Sequence, residues 1–504
     1  MISNFRKIKT LGELRQSGYK SIPVKEEMRK NLIEIFRNKT NPFASIIGYD
    51  ETVVPDIQTA ILSRHNIIFL GLRGQAKTKI ARLMINLLDE YIPIISGSEM
   101  NDDPFNPISR FGKDKFFELE NETPIEWIHR NERYTEKLAT PDVTIADLIG
   151  DVDPIKAASL KLPYSDERVI HFGLIPRSHR GIFVINELPD LQARIQVALF
   201  NILQEKDVQI RGFKIRLPLD VQFVFTANPE DYTNRGAIVT PLKDRIDSQI
   251  LTHYPKTIEI SKKITEQEAR ITQDQTNKIE IPELIKNLIE QIAFEGRESE
   301  FVDSKSGVSA RLTISALENI VSFAERRILI NNEKDTVVRI SDLTGVIPSI
   351  TGKVELVYEG EQEGPVKVAF ILIGKSIKTQ FAKLFPSPDT LKRNASINPY
   401  QSILNWFTKK NKVDLLNDVS NHDYEKILLS VPGLKELIEK FHPQEPYKTK
   451  LLLMEFALHG LSEYSLLSKF SIEKGLQFKD MLSSMFNKSS VEEEEYEGEE
   501  DSLL

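Results

Sequence analysis

The chain has 504 residues, 40% hydrophobic and 28% charged, the balance of an ordinary globular protein with room for more than one domain. Its 66 Lys and Arg against 74 Asp and Glu give a net charge of −8, which argues against a general nucleic-acid binder; eight of the acids fall in residues 492–501. The absence of cysteine excludes disulfides, thiolate metal sites and a cysteine nucleophile. The opening residues Met1 to Lys7 lack the apolar core of a signal peptide, and no apolar run approaches the roughly 20 residues that span a bilayer. A cytoplasmic protein is the expectation.

In chain order, residues 24–36 predict a helix, followed by a turn at Asn41-Pro42. Between 41 and 256 strands alternate with helices. The expected strands are 67–70, 92–96, 182–185 and 221–226, and the pattern predicts an α/β core with a parallel sheet between helices. Residues 208–216 alternate and turn at Arg211-Gly212, which reads as a β-hairpin, either facing a partner or covering a sheet edge. From Ile258 the pattern is mostly helical, at 282–294, 309–332 and 376–385, with strands expected at 353–358 and 366–370. Phe385-Pro386-Ser387-Pro388 reads as a linker and 398–486 as short helices. The expected division is an N-terminal helical segment (1–40), an α/β core (41–256), a mostly helical lid (257–386), a helical C-terminal extension (387–487) and an acidic disordered tail (488–504).

The segment Gly71-Leu72-Arg73-Gly74-Gln75-Ala76-Lys77-Thr78 lies where a phosphate-binding loop belongs. The apolar strand Ile67 to Leu70 precedes it, and a helical pattern with Ile80, Leu83, Met84, Leu87 and Leu88 follows. Backbone N–H groups of such a loop face phosphates; Lys77 would then reach the β- and γ-phosphates, and the Thr78 hydroxyl would ligate Mg²⁺. Ala76 stands where a glycine is usual. Further on, the buried strand of Gly181 to Ile185 delivers Asn186 and Glu187 at its C-terminal end, the edge where open α/β sheets bind ligands. A carboxylate there can activate an attacking water. A second apolar strand, Val221 to Ala227, ends in Asn228, and Arg245 follows in Leu242-Lys243-Asp244-Arg245-Ile246. Arg235 competes with Arg245 for a phosphate or interface role. His171 and His179 have no metal-ligand spacing around them and read as surface or packing residues.

With these motifs in order, the chain resembles the ATPase (I) subunit of magnesium chelatase, in the MoxR/chelatase branch of AAA+ ATPases. Asn41-Pro42-Phe43-Ala44-Ser45-Ile46-Ile47-Gly48 is similar to that family's opening, and Gly97 to Pro107, including Asn101-Asp102-Asp103-Pro104-Phe105-Asn106-Pro107, to its N-D-P-x-x-P loop. Residues 148–153 and 173–181 resemble its helix-2 insert and the approach to Walker B, Asn228-Pro229-Glu230 its sensor 1, and Ser309-Ala310-Arg311 the start of its sensor 2. The resemblance covers roughly residues 41–330. It implies that Gly71, Gly74, Gln75, Ala76, Lys77 and Thr78 bind ATP, with Ile46 and Ile47 near adenine. Asn186 would hold Mg²⁺ through water beside Thr78, and Glu187 and Asn228 would act on the γ-phosphate and its water. Arg245 is then an arginine finger acting in trans and Arg311 is sensor 2.

The implied function is a slow ATP hydrolase, assembled as a hexameric ring, that remodels or activates a partner such as a von Willebrand A-domain protein. Asn186, in place of an aspartate, brings no negative charge to a hard cation, so weak Mg²⁺ affinity is expected. The alternatives are an ATP-binding scaffold with little hydrolysis, a genuine chelatase ATPase subunit, and a DNA-directed AAA+ protein. The net charge and the lack of a helix-turn-helix argue against the last.

Overall fold

The computed structural model of the chain describes residues 7–164, 166–210, 216–229, 237–391, 398–472 and 475–481. It divides into a first unit, residues 1–254, and a second, residues 255–504. The acidic stretch 488–504, Arg235 and the hairpin turn 211–215 lie outside the described residues. The flanks of that hairpin do pair, Asp207–Gln209 running antiparallel to Arg216–Pro218.

The first unit is built on five parallel strands: β1 (Ile67–Leu70), β2 (Tyr134–Leu138), β3 (Gly181–Asn186), β4 (Val221–Ala227) and β5 (Ser248–Leu251). Their order is β5-β1-β4-β3-β2. Strands β1, β3 and β4 are buried along their whole length, as strands covered on both faces must be. Alternate side chains serve two layers. Phe69, Ile182, Val184 and Val224 face one core, with Ile80, Ala81, Met84 and Leu87 from the helical run after the loop. Phe183, Ile185, Phe223 and Phe225 face the other, with Ile195, Leu199 and Ile202 of the helix Ala193–Glu205.

Two sheet members escaped the sequence reading, and one expected member belongs elsewhere. β2 is polar (Tyr-Thr-Glu-Lys-Leu) and partly exposed because it is an edge strand, and β5 is a short edge strand with one fully buried side chain. Residues Tyr91–Ile95, expected in the parallel sheet, instead pair antiparallel with Ile125–His129.

The N-terminal helix Val24–Arg37 contributes Val24, Met28 and Leu32 to the first of those cores. It is tied to the sheet by a buried ion pair: both Glu27 carboxylate oxygens accept from Arg133, at 2.7 and 2.6 Å. His179 is buried where the chain enters β3, and its Nδ1 accepts from the Asp220 N–H at 3.0 Å. Burial lowers its pKa to about 4, so the folded protein holds it neutral. The unfolded chain takes up this proton near the ordinary value of 6.5, so the stabilisation is complete above that pH and is lost as pH falls towards 4. We therefore expect the stability advantage of wild type over His179→Gln to narrow between pH 7 and pH 5, by up to about 1.4 kcal/mol per pH unit below 6.5. Urea unfolding at both pH values checks this; a difference that does not change with pH contradicts it.

In the second unit the long helices Glu283–Glu298, Arg311–Asn331, Pro365–Leu384 and Tyr447–Glu463 share one hydrophobic core running from Ile279 to Phe478. Residues before and after the Phe385–Pro388 segment enter that same core. Of the strands expected at 353–358 and 366–370, the first is irregular apart from an isolated bridge between Leu356 and Val302, with only Tyr358 entering the helix Tyr358–Glu363, and the second lies inside the helix Pro365–Leu384. Pro365 sits at the first helical turn, and Val368, Ala369, Leu372, Ile373, Ile377 and Phe381 recur with helical spacing, which outweighs the β-branched composition. The C-terminal region also holds an antiparallel sheet that a purely helical reading omits. Gly475–Asp480 lies between Val413–Leu416 and Leu467–Ile472. No helix among the described residues is long and apolar enough to cross a membrane.

Candidate functional site

The C-terminal ends of β1, β3 and β4 place most of the sequence-nominated residues together. The loop after β1 needs two glycines for different reasons. A side chain at Gly71 would run into Thr252 and Gln75, and Gly74 has φ +73°. Ala76 is also left-handed, at φ 59°, ψ 16°. An alanine costs on the order of 1 kcal/mol there relative to glycine, so the substitution is tolerated but strained.

The loop is braced from outside. The Tyr49 hydroxyl lies 3.0 Å from the Gln75 carbonyl and 2.7 Å from that of His253. Thr252 donates to the Gln75 side chain at 2.7 Å, and the Tyr254 hydroxyl donates to the Arg73 carbonyl at 2.9 Å. Burial pushes the Tyr49 phenol pKa up, keeping it a donor. These braces were missed in the sequence, since none of them belongs to a phosphate-loop pattern.

Lys77, 7% exposed, donates to the carbonyls of Gly71 and Leu72 and, at 2.7 Å, to Asn228 Oδ1. Asn228 in turn donates through Nδ2 to Glu187 Oε2 at 2.9 Å. The loop lysine, the amide at the end of β4 and the carboxylate after β3 thus form one chain. Glu187 is left-handed, at φ 55°, ψ 50°, and its N–H donates to Thr226 Oγ1 at 3.1 Å. A non-glycine residue held in this region carries strain of the kind that collects at functional sites.

A second chain runs beside the first. Asn186 Oδ1 lies 3.5 Å from Thr78 Oγ1 and accepts from Thr226 Oγ1 at 3.1 Å. Its Nδ2 donates to Glu136 Oε1 at 3.1 Å. Glu136 accepts a two-pronged contact from Arg82, both bonds 2.9 Å, and one from the Tyr134 hydroxyl at 3.0 Å. The Arg82 hydrogen bonds are the largest cause holding its pKa below the usual carboxylate value. Glu136 was not singled out in the sequence, because β2 was not recognised as a sheet strand. Its register gives the signal: Glu136 pairs with Val184, so it lies on the same face as Asn186.

Arg245 is exposed, pairs with Asp244 at 2.8 Å and sits over the Phe200 ring. Arg311 begins the helix Arg311–Asn331 in the second unit. Ile46 is buried in the core that also holds Ile80, and Ile47 is half-buried. A cavity of about 1000 Å³ opens at the opposite edge of the sheet, where Asn66, Arg180 and Asp220 precede β1, β3 and β4. It carries none of the loop residues. Its Lys25 is depressed to about 8 by burial.

Oxygen is the donor a hard cation such as Mg²⁺ takes, and Thr78, Asn186 and Thr226 bring only oxygen acceptors to this corner. The described residues hold no cluster of three or more His, Cys, Asp or Glu able to form an all-protein cage. Mg²⁺ bound through one or two side chains and substrate phosphates fits that composition.

A parallel sheet of this order, with a phosphate loop after its first strand and polar residues at the ends of its third and fourth, is the fold of an AAA+ P-loop NTPase core. The model of the sigma-54 interaction domain family matches residues 163–248, the span of β3, β4 and Arg245. Within the class, the chain resembles the magnesium chelatase I type: it is 26% identical over 246 residues to the chloroplastic magnesium-chelatase subunit ChlI of Nicotiana tabacum. That alignment takes in 48% of this chain and about half, 54%, of the tobacco subunit. Solved structures with a similar chain include a putative ATPase from Cytophaga hutchinsonii (16% identity, 72% of this chain and 97% of that one, TM-score 0.28). A second is the complex between subunits BchI and BchD of magnesium chelatase (16%, 64% and 98%, TM-score 0.32). A third is NtrX from Brucella abortus in complex with ADP (13%, 65% and 63%, TM-score 0.34). The strand order and the loop, rather than these superpositions, carry the class.

Proposed function

We propose that the chain binds ATP with Mg²⁺ at the β1, β3 and β4 edge, hydrolyses it slowly, and acts as a ring of copies that remodels a partner protein. The observation that supports this most directly is the hydrogen-bonded chain Lys77–Asn228–Glu187. It groups a phosphate-seeking cation, an amide and a carboxylate at the ends of three strands. Lys77 binds the β- and γ-phosphates, Glu187 orients and deprotonates the attacking water, and Asn228 keeps the two in register. When bound, Mg²⁺ neutralises charge on the phosphate oxygens; Thr78 and Asn186 are the side chains that would hold it and its water. Neutral Asn186 and strained Ala76 both point to slow turnover.

Arg245 supports the ring. It is exposed and joins neither hydrogen-bonded chain of its own site, the placement that serves a neighbouring subunit. By analogy with the named BchI–BchD complex, the partner is a protein, and a von Willebrand A-domain protein is the class we favour.

Mixing two inactive variants tests the assembly. Glu187→Gln subunits keep Arg245, and Arg245→Ala subunits keep Glu187. Mixed rings therefore recover about a tenth or more of wild-type ATP hydrolysis that neither variant shows alone, each active site drawing its arginine from the next copy. No recovery in rings shown by sizing to be mixed rules out the trans role. The same experiment asks whether rings form at all.

A further inference from the structure

We propose that Glu136 is a positioning residue for the metal side of this site: it fixes the Asn186 amide with its oxygen towards Thr78, and it makes asparagine, rather than aspartate, the residue that works at position 186. This rests on the ATP-binding reading above and deepens it.

The argument begins with what an amide lacks. A carboxylate offers oxygen whichever way it turns, but an asparagine presents oxygen on one side only. At position 186 the wrong orientation would aim two N–H donors at Thr78 and at any metal-bound water. Glu136 removes that freedom. It accepts only, so Asn186 must turn Nδ2 to it, at 3.1 Å, and Oδ1 to Thr78 and Thr226. Thr226 reinforces the choice, since its hydroxyl donates to Oδ1 at 3.1 Å while itself accepting from the Glu187 N–H.

Glu136 is itself immobilised. Arg82, from the helix that carries Lys77 and Thr78, grips both its oxygens, and Tyr134 holds one of them. The carboxylate therefore cannot swing aside to accommodate a change at 186. Arg82 balances its charge, so what Glu136 gives the site is the orientation of Asn186 rather than net negative charge.

The consequence is a coupling between two positions. Asn186→Asp replaces the bridging N–H donor by an oxygen, leaving two carboxylate oxygens at hydrogen-bond distance with no hydrogen between them. Like charges so placed repel, and the new carboxylate turns away from Thr78. Restoring the usual aspartate alone does not improve metal binding. It does so only when Glu136 is neutralised as well.

The test compares wild type, Asn186→Asp, Glu136→Gln and the double variant in the full-length chain. Mn²⁺ affinity of the ATP complex is read by electron paramagnetic resonance, and ATP affinity in excess EDTA is read by a fluorescent ATP analogue. The expected result is a Mn²⁺ affinity for Asn186→Asp no higher than that of wild type. In the Glu136→Gln background the same substitution raises it about tenfold, the scale on which contacting residues couple. Glu136→Gln alone weakens Mn²⁺ binding, and metal-free ATP affinity stays within about twofold throughout, a pattern that loss of folding does not give. If Asn186→Asp raises Mn²⁺ affinity equally in both backgrounds, the inference is wrong. Glu136→Ala gives a second background should Glu136→Gln fail to fold. Wild type that binds no ATP with or without metal overturns the nucleotide-site reading itself, a result distinct from uncoupled but measurable metal binding.

Discussion

Glu187→Gln is expected to lower steady-state ATP hydrolysis about 10³-fold while leaving ATP affinity within a factor of about two, the signature of a lost general base rather than a lost binding contact. The substitution is close to isosteric, and a glutamine oxygen still accepts from Asn228 Nδ2, now 2.9 Å from the carboxylate. The left-handed turn at Glu187, with its N–H on Thr226, belongs to the backbone and survives. What disappears is the basic oxygen that takes a proton from the attacking water. Phosphate release and titration with a fluorescent ATP analogue measure the two quantities separately. A rate within twofold of wild type removes Glu187 from the chemistry. A parallel fall in affinity instead makes it a contact on which Lys77 placement depends, since Asn228 ties the two together. If the rate falls and affinity holds, the variant also supplies a nucleotide-trapped form for capturing the partner.

The order of strands and motifs along the chain shows how far a single sequence carries. β1, β3 and β4 were legible because a strand buried on both faces is a continuous apolar run, and these three deliver Lys77, Asn186, Glu187 and Asn228 to one edge. The edge strands were not. β2 reads Tyr-Thr-Glu-Lys-Leu, a pattern that solvent exposure permits and no local rule assigns to a sheet. With it went Glu136, whose meaning comes only from register against β3. The braces Tyr49, Thr252 and Tyr254 were hidden for a related reason. Each acts on the loop carbonyls or on Gln75 from far along the chain, and a tyrosine or threonine that buttresses a turn looks like any other. In the second unit helical period and strand composition conflicted at residues 365–384. The period prevailed because twenty residues of repeated i, i+4 burial outweigh one β-branched stretch.

The largest stability effect is expected at Glu27. This residue and Arg133 are 3% and 2% exposed, and the carboxylate accepts from both guanidinium arms and from the Asp89 N–H at 2.6 Å. Arg133 also donates through Nε to the Arg180 carbonyl, and Arg180 reaches the Pro93 carbonyl at 2.7 Å. Removing one partner strands the other charge away from water. Glu27→Ala should therefore destabilise the first unit by about 3–5 kcal/mol, whereas replacing both residues together, Glu27→Leu with Arg133→Met, should recover most of that loss. Trp127 and Trp406 are the only tryptophans, so a Trp406→Phe background leaves Trp127 to report on the first unit in urea unfolding of the full chain. A cost below about 1 kcal/mol for Glu27→Ala would mean that water reaches Arg133. The pair also bears on the nucleotide site, because the Glu27 helix packs against the short 3-10 helix Met84–Leu87 that continues the loop helix, and Asn31 donates to the Leu87 carbonyl at 3.0 Å. A variant that unfolds this layer at low urea should lose ATP affinity at the same urea concentration, whereas loss of ATP affinity well before the Trp127 transition would place the weak point in the loop braces instead.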